Sequence, residues 1–114
     1  MEKTMTTYVR KRYSNKPMRR LSLVKQINKI IPEAEAAFRE DFDGQDTGIW
    51  LRGSESTHTD KKGNVQRIFD YWAMEEERQY HPKLLKILDR ADWWAEPHDA
   101  GTLMLWPNPI NHYR

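Results

Sequence analysis

The sequence predicts an α+β fold: a small single domain in which two main helices pack on one face of an antiparallel sheet built from two β-hairpins. Three observations carry this expectation. Apolar residues recur every three or four positions over 21–38 and again from Leu84 to Ala91. Runs rich in β-prone residues flank the turn-forming stretches "DKKGN" and "DAG". The signals alternate in the order α-β-β-α-β-β. At 114 residues, with 38% apolar and 32% charged side chains, the chain is long enough for one modest core. Five Trp, five Tyr and three Phe should make that core rich in aromatic area.

The chain opens on a basic arm, residues 1–20, which composition allows to be flexible, followed by a single α+β domain over 21–114. The arm carries seven Lys/Arg and one Glu, about +6, and the body twelve basic and sixteen acidic residues, about −4. The first helix runs from Leu21 to Phe38 on Val24, Ile27, Ile31, Ala34 and Phe38, with Ser22 as its N-cap and a kink or helix junction at Pro32. "REDFDGQDTG" then reads as an acidic loop. A hairpin turning at "DKKGN", with Gly63 in the left-handed position, sets Leu51 opposite Ala73, Gly53 opposite Tyr71 and Arg52 opposite Trp72. The second helix begins near His81, with Pro82 in its first turn and Leu84, Leu85, Leu88 and Ala91 as its buried stripe. A shorter hairpin turns at "DAG", and Pro97 restricts its strand to an edge or a bulge. "PNPINHYR" should be irregular.

Several function classes are disfavoured by what the residues do not spell. With no cysteine, disulfides, thiolate metal sites and cysteine nucleophiles are excluded. The absence of a long apolar run and of a signal-like N-terminus gives the expectation of a cytoplasmic protein without a membrane partner. Glycines at 44, 48, 53, 63 and 101 match neither phosphate-binding pattern, so no cofactor is implied. His58, His81, His98 and His112 have no metal-ligand spacing, and an exposed or capping role is expected for each. Two tip clusters, Glu55 with His58 and Asp60, and Glu96 with His98 and Asp99, have the donor types of a metal-dependent nuclease. Hairpin tips are polar for turn reasons, however, so neither a catalytic nor a metal site is assigned.

Two surfaces remain as binding candidates. Trp50, Arg52, Asp70 and Trp72 fall on one face of the expected hairpin, and Glu40, Asp41, Asp43 and Asp46 form the most acidic patch, able to meet a basic site on a partner. The arm interleaves Tyr8 and Tyr13 with Arg10, Lys11, Arg12, Lys16, Arg19 and Arg20, a mixture suited to phosphates and unpaired bases. An arm folded back on the acidic body explains the same charge asymmetry.

The stretch "WWAEPHDAGTLMLWP", residues 93–107, resembles the C-terminal portion of small bacteriophage-encoded proteins. The resemblance implies a setting rather than an activity: such proteins often act by occupying the surface of a host protein, host defence machinery included. The expected function is therefore a non-enzymatic interaction protein acting as an inhibitor or modulator of a host factor. A nucleic-acid-binding module using the arm is the second reading, and a metal-dependent nuclease the third.

Overall fold

The computed structural model describes residues 11–44 and 47–110. Its elements are α1 (Arg20–Ile30), a 3-10 turn (Pro32–Ala34), β1 (Ala36–Phe38), α2 (Glu40–Asp43), β2 (Ile49–Leu51), β3 (Thr57–Thr59), β4 (Val65–Arg67), a second 3-10 turn (Glu76–Gln79), α3 (Pro82–Ala91), β5 (Trp93–Asp99) and β6 (Thr102–Pro107). The architecture is α+β with antiparallel pairing throughout the strands.

α1 buries Leu23 and Ile27 one turn apart, and Ile31 continues the stripe just past its end. Pro32 stops the helix by holding Ile31 out of helical geometry, at φ −130° and ψ 75°. Glu35, at φ 48°, then turns the chain, and Ala36–Phe38 becomes a strand instead of the end of the first helix. Three- and four-residue apolar spacing runs on across this break, which is why the sequence pattern overshoots. The helix also starts earlier than Ser22, at Arg20, with Arg19 in the N-cap position and no side chain capping it. The acidic segment expected to be loop holds one helical turn, Glu40–Asp43, closed by Gly44 at φ 81°.

The main sheet has the order β1-β2-β6-β5. Ile49 and Leu51 align with Leu105 and Leu103, and this face packs with α1 and α3 into the core. Burying each such aliphatic side chain contributes about 1.5–3 kcal/mol. The sheet's edges are guarded. Asn28 on α1 uses its carboxamide as a substitute strand, accepting from Ala36 N at 2.7 Å and donating to Ala36 O at 3.1 Å. β5, the opposite edge, carries Pro97 beside an irregularity in its register, as an edge proline should.

The first hairpin turns where expected, with Gly63 at φ 88° and Thr57 facing Arg67, the same register that would bring Leu51 to Ala73. It does not extend that far. β3–β4 is a separate two-stranded sheet, and Leu51 pairs instead with Ala36 and Leu103. The cause is a corner at Gly53–Ser54. Gly53 N donates to Ala34 O at 2.8 Å, and Ser54, fully buried, donates from its hydroxyl to Gly101 O at 2.9 Å. Ile68 N and Phe69 N still bond across to Ser56 O and Ser54 O, at 2.9 and 3.0 Å, while the same stretch also bonds to the segment before α3: Asp70 N to Gln79 O at 2.7 Å, and His81 N to Ile68 O at 2.9 Å. α3 itself begins at Pro82 and buries Leu84, Leu85, Ile87, Leu88 and Ala91.

Candidate functional site

The four residues expected on one face, Trp50, Arg52, Asp70 and Trp72, are not aligned, because the hairpin keeps the expected register but its pairing does not extend to them. Trp50 and Arg52 stay with the main sheet, where the Arg52 guanidinium lies 5.8 Å from the Trp50 ring centroid and Arg52 N bonds to Glu35 O. Other tryptophans of that sheet are also met by cations, Arg39 over Trp106 at 4.7 Å and Lys11 over Trp94 at 5.7 Å. The Trp106 indole further donates to Glu96 Oε1 at 2.9 Å.

Asp70 and Trp72 belong to the segment between β4 and α3. The Asp70 carboxylate accepts from Trp72 N at 3.1 Å, Gln79 Nε2 donates to Tyr71 O at 3.0 Å, and Glu75 pairs with Arg78 at 2.8 Å. These bonds pin the backbone while leaving the side chains outside: Trp72 is 76% exposed and Met74 97%. The Tyr71 ring stands edge-on to Trp72 at 5.0 Å and touches buried Phe69 from its other side. Alongside runs an open cleft of about 700 Å³, lined in part by Arg67, Ala73, Met74 and Arg78. A large exposed indole and thioether on a hydrogen-bonded loop give contact area without much ordering cost. Sequence reasoning named Asp70 and Trp72 but missed Met74; its place within "YWAMEEE", an apolar cluster running into acids, was the available signal.

The basic arm lies against the body over its described part. Arg12 pairs with Asp92 and its backbone N donates to Asn108 Oδ1, Ser14 N donates to Pro109 O, and Met18 bonds Ala91 O through its N and the Trp93 indole through its O. Arg20 grips both oxygens of Glu40 at 2.7 and 2.9 Å, which holds the Glu40 carboxyl below its usual range. Arg39 donates from Nε and Nη2 to the single oxygen Oδ2 of Asp43, at 3.1 and 2.9 Å. Of the acidic patch, Asp41 is exposed, and Asp46 lies outside the described residues. Tyr13, Lys16 and Arg19 are exposed, whereas Tyr8 and Arg10 lie outside the described residues.

Neither tip cluster assembles as a donor set. Asp60 ties its turn by accepting from Lys62 N and Asn64 N, each at 2.9 Å, and these bonds, that from Asn64 N foremost, hold its carboxyl below the usual value. Asp99 does the same for Gly101 N at the second turn. Glu55 sets its carboxylate over Gly101 of the second turn. Among the described residues no group of three His, Asp or Glu side chains could hold a metal ion.

His58, flanked by outward Thr57 and Thr59, points inward and is buried. Its Nδ1 lies 2.7 Å from Glu33 Oε1, its Nε2 lies 3.4 Å from Lys83 Nζ, and its ring meets His81 edge-on at 5.3 Å. His81 is the N-cap of α3, its Nδ1 accepting from Lys83 N at 3.1 Å, so the capping role expected for it is present. No local spacing foretells the Glu33–His58–Lys83 set, whose members are 25 residues apart at each step.

No protein-family model matches this chain, and neither a curated protein nor a solved structure matches it significantly. Among the described residues no helix is long and apolar enough to cross a membrane.

Proposed function

We propose that this chain is a non-enzymatic interaction protein that docks on a partner protein through Trp72 and Met74. The observation that carries the reading is their near-complete exposure on a loop whose backbone is pinned by Asp70 and Gln79. An indole and a thioether seek an apolar recess, while Arg67 and Arg78 beside the cleft supply a polar rim. The resemblance of residues 93–107 to phage-encoded proteins supports a host factor as the partner and inhibition or modulation as the outcome. The nucleic-acid reading draws less support, since Arg12 and Arg20 of the arm already hold carboxylates.

Trp72→Ala should weaken partner binding by a factor of ten or more, on the order of 1.4–3 kcal/mol for an aromatic hot spot. Its effect on unfolding free energy should stay within about 0.5 kcal/mol, because an exposed ring has little packing to lose. Titration of the purified partner, alongside thermal melts of both proteins, separates the two quantities. Unchanged affinity, or a steep fall in melting temperature, contradicts the assignment.

A further inference from the structure

β3, the first 3-10 turn and the start of α3 meet at a cluster of titratable groups. Glu33 enters from the 3-10 turn, His58 from β3, and His81 and Lys83 from the start of α3; Asp60 at the hairpin turn adds a more distant negative charge. With its proton on Nδ1, His58 donates to Glu33 and accepts from Lys83 at Nε2. His81 must likewise be neutral at Nδ1 to accept from Lys83 N. Both bridges therefore depend on imidazole nitrogens that accept and so carry no proton.

We propose that Glu33, His58, Lys83 and His81 form an acid-released latch, which holds the β3–β4 hairpin against the start of α3 while the imidazoles are neutral and loosens it when they are charged. A proton on His58 Nε2 faces the Lys83 ammonium at 3.4 Å and drives it away, whereas the Glu33 bond survives as an ion pair. A proton on His81 Nδ1 removes the acceptor that caps α3, and the two rings are close enough to repel when both are charged. Burial first, then any positive charge on His58 and that on Lys83, push His81 below the ordinary imidazole value. A base so depressed contributes stability that is whole above the unfolded value of about 6.5 and is lost as pH falls through the folded one. Glu33 stays charged across this window, its carboxyl being held below the usual range chiefly by the hydrogen bond from His58. His81 N also bonds Ile68 O, so release reaches the segment that leads to Trp72. The latch does not depend on the partner reading, since its readouts lie in the chain alone.

Hydrogen exchange and imidazole nitrogen resonances, followed from pH 7.5 to 4.5, test the latch. Corrected for intrinsic rates, protection at the Lys83 and His81 amides should fall about tenfold per pH unit once His81 takes up its proton, while the β2–β6 amides hold. His81→Asn, which keeps a capping oxygen but cannot titrate, should remove the share of the fall that comes from the cap and leave Lys83 protection clearly less dependent on pH. Wild-type protection that ignores pH, or an identical fall in His81→Asn, overturns the proposal. Should that variant not fold, the wild-type resonances decide: His81 keeping a neutral, accepting Nδ1 while Lys83 protection falls overturns it, and protonation of His81 in step with that fall supports it.

Discussion

Phe69→Ala should cost about 3–5 kcal/mol of folding free energy. The ring is fully buried, stacks on Tyr80 at 5.7 Å with 21° between planes, and receives the edge of Tyr71 at 6.2 Å. Its backbone N bonds to Ser54 O at 3.0 Å, and its residue bridges to Tyr80. It therefore stands where the hairpin, the Trp72 loop and the approach to α3 converge. Neighbours fixed by those bonds cannot collapse into the space it leaves, so the cavity term adds to the lost transfer energy. Against a total stability of about 5–15 kcal/mol, the melting temperature should drop on the order of 10–20 °C. Burial of Tyr80 already pushes its phenol up to about 12, so exposure of this region can be followed by its titration. Calorimetry measures the loss; one below about 1 kcal/mol would mean that the ring is not part of a packed core.

Gly53→Ala should be comparably damaging through a different cause. A Cβ there would lie 1.9 Å from Glu33 O, with further backbone atoms of Glu33 and Ala34 close behind. Backbone cannot swing aside as a long side chain does, so either the 3-10 turn moves or the Gly53–Ala34 bond at 2.8 Å breaks. The loss should be about 3 kcal/mol or more, at the upper end of overpacking effects. Because the displaced residue is Glu33, the substitution should also disturb its contact with His58. Gly63→Ala makes the control: its φ of 88° is strained for alanine, but nothing lies within 4 Å, and the cost should be about 1 kcal/mol. Denaturant titration of both variants decides, and equal losses would show that close approach to Glu33 is not what Gly53 provides.

The parts of the fold legible in the sequence are those encoded locally. Pro82 after a capping residue, followed by a regular leucine stripe, marks α3; "DKKGN" and "DAG" mark their turns; Pro97 marks an edge. What was hidden depends on distant partners. β1 continues the helical spacing of α1 and is a strand only because β2 pairs with it and Asn28 closes its other side. The hairpin register is right at Thr57 and Arg67 yet stops at the Gly53 corner, which steric closeness to the 3-10 turn imposes. The same distance rule governs the sites. Trp72 stands out as a tryptophan in a turn-rich stretch, but its separation from Trp50 follows from the shortened hairpin. The arm's charge was visible, while its docking through Arg12, Met18 and Trp93 rests on contacts spanning most of the chain.

The central claim, that Trp72 and Met74 present a docking surface, is tested most directly by a photo-crosslinking residue at position 72 and, as a control, at exposed Lys86 on α3. In cell lysate, position 72 should give one discrete protein adduct that excess unmodified protein competes away and excess Trp72→Ala protein competes poorly. Position 86 should not give that adduct. Equal adducts from both positions, or an adduct that wild type and Trp72→Ala displace alike, would contradict the account.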